Sequence, residues 1–419
     1  MLPRRKTLRV LSVVGARPNF MKVAPIIAAI RTHNRQAGRN GLRIEHNLVH
    51  TGQHYDKIMS GSFFRDLKIP KPDFHLEVGS GSHAVQTAAI MKKFESVILD
   101  RRPDVIVVVG DVNSTVACAL VASKTTYGSN GLRPRVAHVE AGLRSFDRSM
   151  PEELNRIVTD HLSDLLFVTE KSGLRNLKRE GISQDKVRFV GNTMIDTLLA
   201  FRDVANKSTI LDRLGLVTLN KTVRQPVSRL YVSDLKPRLS VLPYGLITLH
   251  RPSNVDNKKT FRAILGALSK VAVDVPLLFP CHPRTRSTIT NFGLQHYFRD
   301  LDLGRGGCPE KTINLTEPLG YLDFVCLMSR AKVVFTDSGG IQEETTCLGV
   351  PCVTLRENTE RPVTVTHGTN VLAGIKPNEI LIAFREQEGR KIRVNFPELW
   401  DGKAAERIVS ALATWFSGL

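Results

Sequence analysis

The segment Phe335–Thr345 combines residue types that can bind a phosphate ester. Ser338, Gly339 and Gly340 fall between an apolar run, predicted to be a buried strand, and a predicted helix. Two glycines let the backbone approach a ligand closely, and the unpaired N–H groups of a helix N-terminus attract phosphate. Glu344, about one turn into the helix, is suited to accept hydrogen bonds from a ribose diol. An ordinary strand-to-helix turn would also explain the glycines, so the motif alone leaves both explanations open.

Other polar residues directly follow predicted strands. In an open parallel sheet, ligands bind beyond the carboxyl ends of the strands, where such residues gather. Each one also has a structural explanation: Asp111 can cap the next helix, His282 can belong to a turn, and His250 can be a satisfied core histidine. Their shared position nevertheless favours a ligand-binding cleft between two facing domains. The residues that form this predicted rim are Arg17, Gln53, Asp111, Glu140, His250, Arg251, His282 and Ser338.

Another ionisable group lies at the start of a predicted helix. Pro151 followed by Glu152 and Glu153 suits a first helical turn, because acidic side chains there interact favourably with the helix dipole. This role alone would explain both glutamates. Glu152 and Arg156 are four residues apart, however, and therefore share one face of the helix. An arginine beside an acid favours a functional role for Glu152 or Arg156 near a bound phosphate.

The sequence alternates predicted strands and helices almost throughout, which is typical of α/β proteins with parallel sheets. Two domains are expected, residues 1–200 and 201–402, with a polar and basic insertion at about 205–243. The predicted strands are Leu8–Val14, Ile44–His50, Val105–Val109, Val136–Val139, Leu165–Val168, Val187–Val190, Leu246–Leu249, Pro276–Phe279, Thr312–Leu315, Lys332–Phe335 and Pro351–Leu355.

The composition restricts the class of protein. The 419 residues exceed one average core, and 42% hydrophobic with 24% charged residues is ordinary for a globular chain. No apolar run approaches the roughly 20 residues that a membrane span needs, and the N-terminus lacks the features of a signal peptide. Six cysteines without a CxxC pair favour buried free thiols in a reducing compartment. A cytoplasmic location is therefore expected.

The net charge of +19 raises the question of an anionic partner such as nucleic acid. Aromatic residues make up only 6% of the chain and do not interleave with the basic residues. No helix-turn-helix, zinc-finger or RNA-binding signature is present. The charge is interpreted mainly as solvated surface, and no nucleic-acid partner is expected.

Seven segments carry a family resemblance in one order along the chain: Gly15–Pro18 with Lys22, Gly110–Asp111, His138–Arg144, Pro151–Arg156, His250–Arg251, Thr336–Glu344 and Thr359–Pro362. Together they resemble the non-hydrolysing UDP-N-acetylglucosamine 2-epimerase family. The resemblance implies a glycosyltransferase-B-like fold of two Rossmann-like domains, with the nucleotide held mainly by the second. It also implies that a C-terminal helix at 403–419 joins the first domain.

The resemblance implies inversion at C2 of UDP-N-acetylglucosamine to give UDP-N-acetylmannosamine, feeding cell-surface polysaccharide synthesis. The C2 hydrogen is hardly acidic, because no carbonyl group is adjacent, so direct deprotonation would face a large barrier. Loss of UDP from C1 as the C2 proton leaves gives a glycal instead, and UDP then re-adds with a proton delivered to the other face. Acid–base work is implied for Asp111, Glu140 and Glu152, and stabilisation of the leaving diphosphate for His250.

The resemblance also implies residues that bind substrate. It assigns the leaving diphosphate to Arg17, Lys22 and Arg156, and the bound phosphate to Ser338, Gly339 and Gly340. It assigns the ribose to Glu344, the uracil to Phe324 and the sugar-diphosphate region to Arg361. His282 is a further substrate-binding residue.

Some positions depart from the best-known members of the family. Asn19 stands where those members have an acid. Bacterial members can bind a second, activating UDP-N-acetylglucosamine, and Gln53 and Arg251 match residues of that allosteric site. Pro252 and Ser253 replace a charged pair beside it, which argues against the same activation here.

The implied path needs no nicotinamide and no metal, so no cofactor is expected. The expected partners are a UDP-sugar and a second copy of the chain in a homodimer. Three alternatives are open: a 2-epimerase of a related UDP-2-acetamido sugar or uronate, a hydrolysing epimerase, and a retaining glycosyltransferase of the same fold. The loop Arg144–Arg148 resembles the branch of the family that acts on such related sugars.

Overall fold

The structure is a computed structural model that describes residues 7–38, 41–53, 63–127, 131–219, 239–303, 307–389 and 396–418. The chain divides into two compact units. Unit 1 consists of the described residues of Met1–Phe201, Asn358–Gly368 and Asn395–Leu419, and unit 2 of those of Arg202–Glu357 and Thr369–Val394.

Unit 1 contains a parallel sheet that has seven strands among the described residues. The strands are β1 (Thr7–Val14), β2 (Arg43–His50), β3 (Phe74–His75), β4 (Val105–Val109), β5 (Arg135–Ala141), β6 (Leu165–Val168) and β7 (Val187–Phe189), in the spatial order β3-β2-β1-β4-β5-β6-β7. The helices of this part of the chain are α1 (Arg17–Gln36), α2 (His83–Arg101), α3 (Asn113–Lys124), α4 (Pro151–Leu162), α5 (Lys171–Arg179) and α6 (Thr193–Ala205), and a short 3₁₀ turn covers Gln184–Lys186.

Unit 2 contains a second parallel sheet, with the spatial order β12-β13-β11-β10-β14-β15-β16, and an antiparallel pair, β8-β9. The strands are β8 (Val217–Leu219), β9 (Leu239–Val241), β10 (Gly245–Thr248), β11 (Leu277–Pro280), β12 (Phe298–Asp300), β13 (Ile313–Thr316), β14 (Val333–Thr336), β15 (Cys352–Thr354) and β16 (Asn370–Leu372). The helices are α7 (Ile210–Arg213), α8 (Pro252–Val255), α9 (Lys258–Ala272), α10 (Pro283–Asn291), α11 (Tyr321–Arg330), α12 (Gly339–Leu348) and α14 (Pro377–Gly389), with a 3₁₀ turn at Gln295–Tyr297; the remaining helices, α13 (Pro362–Thr366) and α15 (Ala404–Ser417), lie in unit 1.

Side chains of β1 alternate between two apolar clusters in unit 1. Leu8 and Val10 join one cluster, whereas Leu11 and Val13 join the other. Because successive residues of a strand point to opposite faces, this pattern buries both faces of the sheet. Helices α1 and α15 contribute to the first cluster, and α2 and α3 to the second. The carboxyl ends of the strands are thus left to carry polar groups.

The predicted α/β class with two parallel sheets is confirmed. Every predicted strand is present, with ends that differ by at most two residues from the prediction. The prediction missed β3, β8, β9, β12 and β16, which contain only two or three residues each and lack an apolar run long enough to reveal them. In the predicted insertion, α7 lies near the start and β8 and β9 pair with each other, while residues 220–238 lie outside the described part.

Two segments that the sequence analysis assigned to the second domain, 358–368 and 396–402, belong to unit 1. Their side chains explain the difference. Arg361 donates to the carboxylate of Glu140 on β5, and the indole nitrogen of Trp400 donates to the carbonyl oxygen of Thr169 at 3.2 Å. Specific polar contacts of this kind have no periodic signal in the sequence.

Two findings concern the wider environment of the chain. No helix in the described ranges is both long enough and apolar enough to cross a lipid bilayer. All six cysteines are free thiols, of which Cys308 is exposed and the other five are buried.

Leu412 of α15 is fully buried in the same cluster as β1. We expect Leu412→Ala to lower the free energy of unfolding by about 2–5 kcal/mol, because the truncated side chain leaves a cavity. Urea titration followed by circular dichroism measures the change. Ser410→Ala on the exposed side of the same helix is the control and should stay within about 0.5 kcal/mol of the parent. Equal effects of the two substitutions would contradict the packing of α15 on this sheet.

Candidate active site

Asp111 follows β4 after a turn that requires glycine. Gly110 has a left-handed φ of +69°, and a Cβ atom there would lie 2.8 Å from Nζ of Lys22. The carboxylate of Asp111 forms an ion pair with Nη1 of Arg156, which lies on α4. The Arg156 side chain is 2% exposed, whereas that of Asp111 is 23% exposed. A buried guanidinium thus holds a carboxylate that solvent, and therefore a ligand, can still reach.

Glu140 lies on β5 where the pairing with β6 shifts register between Val139 and Ala141. Its φ of +78° is unusual for a residue with a side chain. The Glu140 carboxylate is buried between two cations: Nζ of Lys22 lies 2.5 Å from Oε2, and Nη2 of Arg361 donates to Oε1. Burial alone would raise the pKa of Glu140, but Arg361 and Lys22 together hold that pKa below its usual range. Glu140 is therefore an ionised, doubly paired carboxylate.

The two glutamates at the start of α4 have different surroundings. Glu153 is buried and accepts hydrogen bonds from Nη2 of Arg156 at 2.7 Å and from the backbone N–H groups of Ser145 and Phe146, each at 2.9 Å. Glu152 is half-buried. The i, i+4 spacing paired Glu152 with Arg156 in the sequence analysis, but in the structure Arg156 pairs with Glu153. The reason is that the loop after β5 directs its N–H groups at position 153 and fixes that side chain beside Arg156.

The turn between β1 and α1 is held by the side chain of Asn19. Its Oδ1 accepts hydrogen bonds from the N–H groups of Gly15 and Ala16, both at 3.0 Å, and its Nδ2 donates to the carbonyl oxygen of Val109 at 2.9 Å. An ionised acid could accept the first two bonds but could not donate the third. Asn19 thus ties the turn that carries Arg17 to the end of β4.

Two further predicted residues of unit 1 have structural partners. Arg17 begins α1, and its guanidinium lies 4.2 Å from the ring centroid of Phe63. Gln53 follows β2 and is buried, and its Oε1 accepts hydrogen bonds from the N–H group and hydroxyl of Ser114 at 3.0 and 2.7 Å. Gln53 therefore fixes the start of α3, immediately after the turn that carries Asp111.

In unit 2, the fully buried Asp337 organises the ends of β10 and β14. Its carboxylate accepts hydrogen bonds from the N–H groups of His250 and Arg251, at 3.1 and 2.9 Å, and from Nδ2 of Asn254 at 3.2 Å. Nδ1 of His250 lies 3.0 Å from the same carboxylate, while the His250 side chain is 58% exposed. Burial favours a raised pKa for Asp337, but His250 and these donors outweigh burial and lower it. An ionised aspartate therefore orients an exposed imidazole.

The predicted phosphate site lies at the N-terminus of α12. Ser338 is the residue before the helix and makes no side-chain cap with it, while Gly339 and Gly340 form the first turn. The N–H group of Ser338 donates to Oγ1 of Thr336 at 3.0 Å, which fixes the turn after β14. Because the first N–H groups of a helix lack intrahelical acceptors, this end of α12 is suited to bind an anion.

Of the remaining predicted residues of unit 2, two lie on helices and the third directly precedes a helix. Glu344 of α12 is buried and accepts a hydrogen bond from the hydroxyl of Tyr321 on α11 at 3.3 Å. Phe324 lies on α11 and is largely buried. His282 is exposed and caps α10 by accepting a hydrogen bond from the N–H group of Arg284 at 3.2 Å. The sequence analysis left open a turn role for His282, and the structure gives this residue the role of a helix cap instead.

Comparisons with known proteins agree with this architecture. A family model for UDP-N-acetylglucosamine 2-epimerase matches residues 36–413. A UDP-N-acetylglucosamine 2-epimerase of Methanocaldococcus jannaschii is 39% identical over 96% of this chain and 97% of that protein. The UDP-2,3-diacetamido-2,3-dideoxy-D-glucuronate 2-epimerase of Pseudomonas aeruginosa is 36% identical over 97% of this chain and 99% of that protein.

A solved structure gives the same result. The crystal structure of the M. jannaschii UDP-GlcNAc 2-epimerase in complex with UDP-GlcNAc and UDP has a TM-score of 0.80 and 38% identity, and the match covers 97% of this chain and all of that chain. The present chain therefore belongs to the UDP-N-acetylglucosamine 2-epimerase family, a family of isomerases. The resemblance stated from the sequence motifs is confirmed.

Six side chains of unit 1 form two ion-paired groups, one around Glu140 and one around Arg156, and we call the two groups together the carboxylate cluster. Sequence reasoning missed one of its members, Glu153, and also missed Asp337 of unit 2. Both acids directly adjoin residues that were chosen, so the motifs contained them without showing which acid is buried. The members of the cluster are Lys22, Asp111, Glu140, Glu153, Arg156 and Arg361.

Glu153→Gln should lower the free energy of unfolding by about 3 kcal/mol at pH 7, because it removes the buried charge that Arg156 and three further donors face. Burial raises the pKa of Glu153, but the hydrogen bonds from Ser145 and Arg156 lower it overall. A lowered folded-state pKa stabilises the protein above the unfolded value of about 4.3, and this contribution is lost as the pH falls. The difference between parent and variant should therefore shrink below about pH 4.

Urea titrations at pH 7 and at about pH 3 measure this difference. Glu152→Gln is the matched control, since Glu152 is the neighbouring, half-buried glutamate, and it should change the free energy of unfolding by less than about 0.5 kcal/mol. A larger loss of stability for Glu152→Gln than for Glu153→Gln would show that the roles of the two glutamates are reversed.

Proposed function

We propose that this isomerase interconverts UDP-N-acetylglucosamine and UDP-N-acetylmannosamine by elimination and re-addition of UDP. The observation that carries the proposal is the Glu140 carboxylate, buried between Lys22 and Arg361 at the end of β5, beside the end of β4 that Asp111 follows. Such a group of carboxylates and cations suits a reaction in which protons and an anionic leaving group move at adjacent carbons.

In the first step, the C1–O bond to UDP breaks as the C2 proton passes to a carboxylate, which gives a glycal and UDP. In the second step, a phosphate oxygen of UDP re-forms the C1–O bond and a carboxyl group delivers a proton to the other face of C2. Atoms and electrons balance without an external oxidant or reductant. The net change is inversion at C2.

The surroundings of the carboxylates suggest how they share this work. Glu140 is held ionised, which is the state that a proton acceptor needs, and its lowered pKa makes it a weak base but a ready donor once it is protonated. The opposite face then falls to Asp111 or Glu152, which are the more accessible acids. Arg17 and Arg156 are the cations we assign to the sugar diphosphate in unit 1.

Unit 2 supplies the groups that we assign to UDP. With Nδ1 of His250 directed at Asp337, Nε2 is the remaining ring nitrogen, and it donates to the leaving diphosphate when both ring nitrogens carry a proton. The N–H groups at the start of α12 suit the phosphates, the carboxylate of Glu344 suits the ribose hydroxyls, and the ring of Phe324 suits the uracil. His282 caps α10 through its ring, and we assign substrate binding to the same residue.

Asp111→Asn, Glu140→Gln and Glu152→Gln are each expected to lower kcat about 10²- to 10⁴-fold, the usual contribution of a positioned acid or base. Proton NMR of UDP-N-acetylglucosamine in heavy water measures the reaction. The parent should exchange the C2 proton for deuterium and form intact UDP-N-acetylmannosamine. Glu95→Gln, an exposed glutamate on α2, is the control and should keep kcat within about twofold.

The same spectra test the alternatives. Free N-acetylmannosamine with UDP would identify a hydrolysing epimerase, and an unchanged substrate that reacts only with an added acceptor would identify a glycosyltransferase. Undiminished deuterium incorporation in all three carboxylate variants would refute the assigned acid–base roles.

Glu344→Gln should weaken UDP binding about tenfold, since a hydrogen bond from a hydroxyl to a charged acceptor contributes about 1.5 kcal/mol or more. Isothermal titration with UDP and with 2′-deoxy-UDP separates a ribose contact from a general loss of affinity. The parent should prefer UDP, whereas the variant should bind the two nucleotides almost equally. An unchanged preference in the variant would remove Glu344 from the ribose site.

A second candidate substrate is a UDP-2,3-diacetamido-uronate, because the P. aeruginosa relative with that specificity is nearly as similar as the M. jannaschii enzyme. Measurement of kcat/KM on both nucleotide sugars decides between the candidates. A value at least tenfold higher for the uronate would replace the first proposal.

We also propose that the enzyme works as a homodimer in the cytoplasm. The free state of all six cysteines supports a reducing compartment, and the dimer rests on the family resemblance of the sequence motifs. Light scattering after size exclusion measures the mass of the particle in solution, and a monomer at micromolar concentration would contradict the dimer.

A further inference from the structure

His138 is fully buried on β5 and both of its ring nitrogens have partners. Nδ1 lies 2.7 Å from Oδ1 of Asp160, and Nε2 lies 2.8 Å from the carbonyl oxygen of Gly110. The side chains of His138 and Asp160 are both 0% exposed. Because the His138 ring has no contact with bulk water, each ring nitrogen must form its hydrogen bond with its protein partner. The protons on the ring must therefore match what these two partners can accept or donate.

Both partners of the ring are hydrogen-bond acceptors. A backbone carbonyl can only accept, and the Asp160 carboxylate is surrounded by donors on its other oxygen, namely the N–H group of Gly142 at 3.0 Å and Nη2 of Arg144 at 2.8 Å. A neutral imidazole carries one N–H, so it would place a lone pair against one of the two acceptors. The geometry is satisfied when both ring nitrogens carry a proton.

Charge balance leads to the same conclusion. Arg144 bridges Asp160 to Glu180, with its Nε donating to Oε1 of Glu180 at 2.8 Å. With His138 charged, two cations face two carboxylates. With His138 neutral, this largely buried network would carry one uncompensated negative charge, which is costly in a protein interior.

His138 also contacts the turn that carries Asp111. Gly110 donates its N–H to the carbonyl oxygen of Val139 at 3.0 Å and receives the N–H of His138 on its own carbonyl. The carbonyl oxygen of Asp111 accepts a hydrogen bond from Nδ2 of Asn155 at 2.9 Å. The turn is therefore held by hydrogen bonds on three of its polar groups, and His138 makes one of these bonds.

We infer that His138 is a charged positioning residue, whose imidazolium, held by Asp160, fixes the Gly110 carbonyl and so aims the Asp111 carboxylate at the substrate. The inference rests on the proposed function for the catalytic part, since Asp111 is a proposed acid or base. The charge of His138 itself does not depend on that proposal. A buried histidine that only fills the core would be protonated on one ring nitrogen, and its replacement would not change the function of Asp111.

The charge is tested by ¹⁵N–¹H correlation NMR of the whole protein labelled in its histidines, at pH 8. His138 should show protons on both ring nitrogens, with its signals identified by their loss in His138→Gln. His46 is the control: its Nε2 contacts the hydroxyl of Ser12 at 2.9 Å, and burial is the main cause that lowers the pKa of His46 to about 4. His46 should be neutral. A single protonated nitrogen on His138 would overturn the inference.

The positioning role is tested by kinetics on His138→Gln and Asp160→Asn. We expect kcat to fall about 10²-fold, the usual effect of a small misplacement of a catalytic group, with KM changed less than threefold. In the Asp111→Asn background, the same substitutions should lower kcat less than threefold further, because their target is already lost. His46→Gln should keep kcat within twofold.

Equal additional losses in the presence and absence of Asp111 would overturn the positioning role, as would an unchanged kcat per folded molecule in both variants. If His138→Gln fails to fold, Asp160→Asn and the NMR spectrum of the parent still decide. Absence of epimerase activity in the parent would refute the proposed function while the NMR result continued to test the charge of His138.

Discussion

The buried carboxylate of Glu140 imposes the strongest constraint on unit 1. A charge removed from water must be paired, and the loss of one partner of a buried ion pair typically costs about 3–5 kcal/mol. Lys22 and Arg361 supply the two partners. Arg361 lies 221 residues beyond Glu140, after most of unit 2 has been completed. Residues 358–368 must therefore fold back onto unit 1. This segment is needed for the carboxylate cluster because it carries Arg361.

Buried and accessible acids divide the structural and the proposed chemical work. Glu153, Asp160 and Asp337 are buried and accept hydrogen bonds from backbone N–H groups as well as from cationic side chains. Each one fixes a loop or turn beside a residue with a proposed catalytic role. Asp111 and Glu152 are more exposed. Among the described residues, no backbone N–H group donates to either of these two carboxylates. The same type of side chain thus serves as scaffold or as reagent according to whether backbone donors surround it.

Apolar strand runs and the polar residues that follow them are local signals, so the sequence predicted the sheets well and placed most of the chosen polar residues directly after strand ends. Their order along the chain does not reveal which side chains meet. Glu152 and Glu153 are adjacent and both suit a first helical turn, so the choice between them depends on the loop N–H groups of Ser145 and Phe146. The left-handed backbone at Glu140 arises from a register shift between two strands, which no single segment encodes. The contact between Glu140 and Arg361 is likewise visible only in three dimensions.

The departures from the best-known family members keep the contacts that matter for the turns. Asn19 replaces an acid, yet its amide both accepts from the turn after β1 and donates to the end of β4. Pro252 replaces a charged residue at the first position of α8, where proline is tolerated because the missing N–H has no helical partner. Asn254 in the same segment still donates to Asp337 and to the carbonyl oxygen of Leu355, at 3.2 and 3.0 Å. Because Asp337 keeps its donors, the orientation of His250 does not depend on the charged pair that Pro252 and Ser253 replace. The loss of that pair can therefore affect regulation without affecting the proposed chemistry.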